Sequence, residues 1–181
     1  EKYRGWNGTT ANHNYNWHDA IHEYSPLGDS INLDCGLDTL VPCDDNGHGT
    51  HTLGTMIATD TSVLLGVAPE AQWIGCRNME DGWGSPQTYL ECFEWFLAPT
   101  DLNNDNPNPS KAPHVINNSW GCPTYEGCDT SNFVILETVI NNLKLAGVVV
   151  VVSAGNDGPS CNTIKNPASI YENSFSVGAL G

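Results

Sequence analysis

Basic residues are scarce in this chain: Lys and Arg total 6 against 21 Asp and Glu, for a formal charge of −15. A surface of that sign repels phosphate backbones and anionic lipid, so neither nucleic acid nor a membrane is an expected partner. Long apolar runs are missing as well. The longest, GVVVVVSA at 147 to 154, falls well short of the roughly 18 residues a spanning helix needs. There is no C-x-x-C pair and no HExxH, so the common zinc spacings are absent. Internal repeats and low-complexity tracts are absent too. The opening EKYRGWNG lacks the basic and then apolar character of a secretion signal, and reads as a segment from within a longer protein.

Cysteine is plentiful, with 7 in a chain of 181 residues. Short separations suggest local staples, Cys35 with Cys43, Cys122 with Cys128 and Cys76 with Cys92, which leaves Cys161 free or bonded outside the chain. Buried free thiols are the alternative. The density fits an oxidising, extracellular setting better than the cytosol. NGT at 7 to 9 is a glycosylation sequon.

Residues 1 to 47 are rich in Asn, Asp, Gly and His without a sustained period, and read as loops. Beyond them the apolar pattern alternates in type. His48 to Ala58 places Leu53, Met56 and Ile57 on one helical face, and AQWIGCRNM at 71 to 79 is strand-like after a turn signal. SPQTYLECFEWFLAP opens with a Ser cap and Pro, with Tyr89, Cys92, Phe93 and Phe96 at helical spacing. APHVINNSW at 112 to 120 reads as a buried strand, and Phe133, Leu136, Val139, Ile140 and Leu143 mark a helix ended by Gly147. VVVVVSAG is apolar on both faces, which implies a parallel strand with helices above and below. FSVGAL at 175 to 180 is a further strand. The order predicts an α/β, doubly wound, mostly parallel sheet, with 1–47 a loop-rich segment and 48–181 the core.

In such folds reactive groups collect where strands end and helices begin. Three segments reach that rim: DDNGHGTH, NNSWG and SAGNDG. His48 stands at a helix start between Gly47 and Gly49, where nothing bulky shields its ring and an imidazole can exchange protons near neutral pH. On its own it reads as a loop residue, and Asn156, in Asn-Asp-Gly, as a turn residue.

Together, NGHGTHTLGT, LGVAPEA, NNSWG and VVVVVSAGNDG resemble the subtilase family of serine endopeptidases, in order and spacing, from about Asp44 to Gly178. KYRGWN, WFLAP and SKAPHVINNSWG are most similar to the bacillopeptidase F-like branch. The resemblance implies a secreted enzyme that cuts peptide bonds through an acyl-enzyme, with no cofactor required for the chemistry. It makes His48 the general base, His51 a packed structural neighbour, and Asn156 the oxyanion-hole donor. Ser119, Trp120 and Gly121 match the segment that pairs with extended substrate and walls one side of the specificity pocket. Ser153, Ala154 and Gly155 match the opposite wall. Small residues there leave a slot for a large apolar side chain, while Asp157 at its rim would favour a basic one. Asp81, Gly82, Trp83 and Gly84 match the other substrate-pairing edge, where Trp83 stands in place of a smaller residue.

Two departures qualify that pattern. The family's catalytic Asp belongs to an Asp-Thr-Gly-like segment and its nucleophile to a Gly-Thr-Ser-like one, and neither tripeptide occurs in the 181 residues. Companion segments of the same protease are therefore expected to bring both to His48, noncovalently or through Cys161. An inactive peptide- or partner-binding domain is the alternative. The family's use of structural calcium points to Asp101, Asn103 and Asp105, whose oxygens alternate in a calcium-loop rhythm without the Gly or distal Glu that would complete it. Asp44 and Asp45 read as exposed surface rather than ligands. A zinc site on His48 and His51 with Asp44 or Asp45 is disfavoured, because catalytic zinc needs three protein ligands.

Overall fold

A computed structural model describes residues 2–28, 34–60 and 65–179, so the expected end of the last strand, Leu180, lies outside the described residues. The chain forms two compact units, Glu1–Trp83 with Pro99–Asn108, and Gly84–Ala98 with Pro109–Gly181.

In the first unit β1 (Trp17–Asp19) and β2 (Gly75–Arg77) pair in parallel, with Trp17 opposite Gly75 and Asp19 opposite Arg77. The segment read as loops alone thus carries a strand and buries Tyr3, Trp17, Ala20 and Ile21. Its three residues are all buried, so there is no alternation for the sequence to display. The Trp17 indole N–H donates to the Thr39 carbonyl at 2.8 Å, and Tyr3 packs on Trp73 at 4.7 Å between ring centroids. The helix α1 (His48–Ile57) occupies its expected range. β3 (Met79–Glu80) and β4 (Trp83–Gly84) form a hairpin whose turn, Asp81–Gly82, has positive φ at both residues.

A buried charge cluster anchors this unit. Arg77 is 6 % exposed, and its guanidinium donates to Asp19 Oδ2 at 3.1 Å, to Asp45 Oδ2 at 2.5 Å and to the Gly36 carbonyl at 2.8 Å. The reading of Asp45 as exposed surface is therefore corrected. A cation placed in an apolar strand needs carboxylates around it, and Asp45 is one of two that supply them. Burial pushes the Asp19 carboxyl above its usual range, against the Thr39 and Ile21 N–H groups and Arg77, which favour its charged form.

In the second unit α2 (Pro86–Leu97) starts on a reciprocal cap: the Ser85 hydroxyl accepts from the Thr88 N–H, and the Thr88 hydroxyl accepts from the Ser85 N–H. It buries Tyr89, Cys92 and Phe93 as the spacing predicts, with Trp95 in place of Phe96. α3 (Phe133–Leu145) buries Leu136, Val139, Ile140 and Leu143. The chain then turns through Gly147, whose φ of 87° only glycine takes without strain. β5 (Val115–Asn118), β6 (Val149–Ser153) and β7 (Phe175–Val177) form a parallel sheet in the order β5-β6-β7.

That sheet differs from the expectation in one respect. Ile116, Asn118, Val150 and Val152 are buried on one face, whereas Val115, Val149, Phe175 and Val177 on the other are 53, 50, 65 and 49 % exposed. The apolar run in β6 correctly implies a parallel strand, but within this unit the sheet is covered on one side. Two of the expected cysteine staples are present as Cys35–Cys43 and Cys122–Cys128. Cys76 and Cys92 are also disulfide-bonded, and Cys161 is free and exposed.

Candidate active site

His48 is the first residue of α1, and its helix mouth is built by Asp44. Gly47 takes the N-cap position with φ 81°, a conformation that would strain any residue with a Cβ and that offers no side chain to cap the helix. Asp44 caps it from three residues earlier. Its Oδ1 accepts the Asn46 and Gly47 N–H groups at 3.1 and 2.7 Å, and its Oδ2 accepts the Thr50 N–H at 2.7 Å. Partial desolvation would raise its pKa, but the Thr50 hydroxyl and these N–H groups outweigh that and hold it below the usual carboxylate range. An ionised carboxylate at this end also complements the helix dipole. The next residue, Asp45, is bound to Arg77 on β2. The segment carrying His48 is thus fixed at two adjacent positions while the ring itself stays exposed.

His51, expected to be packed, is exposed, because α1 has no fully buried residue and its apolar face, Leu53, Met56 and Ile57, is half-covered. The Asp81–Gly82 turn belongs to the same unit and approaches this segment: a Cβ at Gly82 would lie 3.0 Å from Asn46 Nδ2. One proposed substrate edge therefore sits against the loop that leads to His48.

The second unit brings the residues expected to wall the pocket to one end of its sheet. β5 and β6 run parallel, so Ser119–Gly121 and Ser153–Gly155 leave the same rim of neighbouring strands. Asn118 fastens them, its amide donating to the Val151 carbonyl at 3.1 Å. Ser119 Oγ accepts from the Asn117 amide at 2.9 Å, and the Ala154 N–H donates to the Val177 carbonyl at 2.8 Å. Gly155 has φ 89°, and the turn it makes leaves Asn156 and Asp157 exposed. An exposed amide just beyond a strand end is free to donate to a developing oxyanion. Trp120 lies flat on Tyr89, with ring centroids 3.9 Å apart and planes at 6°.

The loop with Asp101, Asn103 and Asp105 folds around its own carboxylate. Asp101 Oδ1 accepts the Asn103 and Asp105 N–H groups at 3.0 and 3.2 Å, and Oδ2 accepts the Asn106 amide at 2.8 Å. These bonds hold its pKa below the usual range, the Asn106 amide most of all. Asp101 Oδ1 is thus filled by two N–H donors, while Oδ2, with one, keeps a lone pair. Among the described residues no group of three or more His, Cys, Asp or Glu side chains gathers in metal-binding proximity.

Three groups escape the sequence reading: Arg77, Tyr89 in its role beneath Trp120, and Glu126. A lone Arg in an otherwise apolar strand, within so acidic a chain, is the signal that could have exposed the first. Glu126 carries no such signal.

Comparison with known proteins bears on the fold and the family. The model of the subtilase family matches residues 34–181. The chain is 36 % identical over 190 residues to bacillopeptidase F of Bacillus subtilis (strain 168), covering 99 % of this chain and 12 % of that protein. It is 34 % identical over 143 residues to the serine protease AprX of the same organism, covering 77 % of this chain and 31 % of the relative. Among solved structures, sphericase superposes with a TM-score of 0.58 at 22 % identity over 91 % of this chain and 48 % of its own, a likeness of fold. The α/β fold is accordingly subtilisin-like, and the chain spans 12 and 31 % of the two curated relatives and just under half of sphericase. With a family model and a near-complete alignment in agreement, the chain belongs to the subtilase family of serine proteases.

Proposed function

We propose that this chain is the histidine-bearing portion of a secreted serine endopeptidase that cleaves peptide bonds through an acyl-enzyme. His48 takes the proton of a serine hydroxyl as that oxygen attacks the scissile carbonyl, and returns it to the leaving amine. The Asn156 amide donates to the oxyanion of the tetrahedral intermediate. Ser119–Gly121 and Asp81–Gly84 each pair with extended substrate, and one substrate side chain is directed between Ser119–Gly121 and Ser153–Gly155. The nucleophilic Ser and the Asp that orients His48 come from other segments of the same protease.

The observation that carries this reading is the state of His48: an exposed imidazole at a helix mouth fixed by Asp44 and flanked by glycines. A serine-reactive fluorophosphonate applied to the full-length protease tests it. The wild type is expected to label and the His48→Ala variant to remain unlabelled. A full-length wild type that folds, binds peptide and never labels would leave a non-catalytic binding domain as the correct account.

A further inference from the structure

Tyr89 on α2 is fully buried between two partners of different kind. Its ring stacks on Trp120, and its hydroxyl donates to Glu126 Oε2 at 2.7 Å. The Glu126 carboxylate also accepts the N–H of Gly84. The Gly84 backbone rests on the same phenol so closely that a Cβ at position 84 would collide with it. Glu126 reaches this place from a short loop closed by the Cys122–Cys128 disulfide, through a single 3-10 turn at Thr124–Glu126. Burial raises the pKa of Glu126, and burial and then the Glu126 carboxylate raise that of Tyr89, so the phenol stays the donor.

A buried carboxylate is a costly way to fill space, and an apolar side chain would fill it with less desolvation. What the carboxylate adds is direction. It joins Gly84, the end of one proposed substrate edge, to Trp120, the centre of the other, with Tyr89 as the spacer between them. We infer that Glu126 is a positioning residue that fixes the spacing of Gly84 and Trp120, one residue from each proposed substrate-pairing segment, by holding Tyr89 against both, an inference that rests on the substrate-binding assignment proposed above. The consequence is selective. A substrate long enough to pair with both edges depends on the clamp, whereas one that occupies only the bond being cleaved depends on it far less.

The test compares two substrates on the full-length protease: a four-residue peptide anilide and a single-residue ester. In Glu126→Ala the ratio of their kcat/KM values is expected to fall about tenfold, mostly through the KM of the peptide, as fits the loss of a charge-assisted hydrogen bond. Tyr89→Phe keeps the stacked ring, loses the hydroxyl bond and is expected to lower the ratio about threefold. Glu126→Gln retains one acceptor and is expected to recover more than half of the loss. A wild-type ratio in both Glu126→Ala and Tyr89→Phe, with only their melting temperatures lowered, would make Glu126 a purely structural residue and overturn the inference. His48→Ala separates the layers: if it still hydrolyses the ester at the wild-type rate, the catalytic assignment itself fails, and the inference fails with it.

Discussion

The helices α1 and α2 begin in opposite ways. α1 starts on a glycine, borrows its cap from Asp44, is tied through Asp45 to a buried arginine and buries none of its own residues. α2 starts on its own Ser85–Thr88 cap and buries four side chains. The first is positioned by charge and leaves its leading side chain in solvent. The second is positioned by packing and supports what lies on it. The contrast teaches that an apolar period says little about a helix's task, since both show one. What separates them is how the first turn is held and how much of the apolar face is covered.

The largest expected effect falls on α1. His48→Ala in the full-length protease should abolish turnover, by a factor on the order of 10⁶ in kcat as in subtilisin, the family's own reference case. Its melting temperature should hardly change, because an exposed ring contributes little burial. Removing Arg77 attacks the anchor instead. Arg77→Ala leaves Asp19 and Asp45 without their cation and should cost about 3–5 kcal/mol in denaturant unfolding. On α2 the sign of the comparison reverses: Phe93→Ala should cost about 3–5 kcal/mol of stability, with activity per folded molecule preserved. Asn156→Ala should lower kcat about 10²–10³-fold with stability intact, again taking subtilisin's measured donor as the guide.

The smallest effect is the cap. Asp44→Ala should cost about 0.5–2 kcal/mol. The pH dependence follows from its depressed pKa. A carboxylate whose folded pKa lies below the unfolded one stabilises fully above the ordinary aspartate value of about 3.9, and that stability is lost as pH falls through the depressed folded value. The variant should therefore show a shallower loss of stability in acid than the wild type.

Much of this was legible in the residues. Ser85, Pro86 and the Tyr89–Cys92–Phe93 spacing define α2 almost to the residue, and the valines of β6 announce a parallel strand. Where sequence fell short, the cause is physical. β1 is too short for a period, and the open face of β6 looks apolar whether or not anything covers it. Asp45 reads like any surface acid because its partner, Arg77, is 32 residues away along the chain. At the candidate site, short motifs carried His48 and Asn156, whereas the clamp through Tyr89 and Glu126 depends on contacts across 37 residues that no local pattern encodes.

Whether α1 carries the reactive group and α2 serves its own unit's core is decided most directly by active-site titration of the folded full-length protease with a chromogenic ester, alongside thermal unfolding. His48→Ala should give no burst at an unchanged melting temperature, and Phe93→Ala a full burst per folded molecule at a lowered one. A burst that survives in His48→Ala, or is lost from folded Phe93→Ala, would contradict that division of labour.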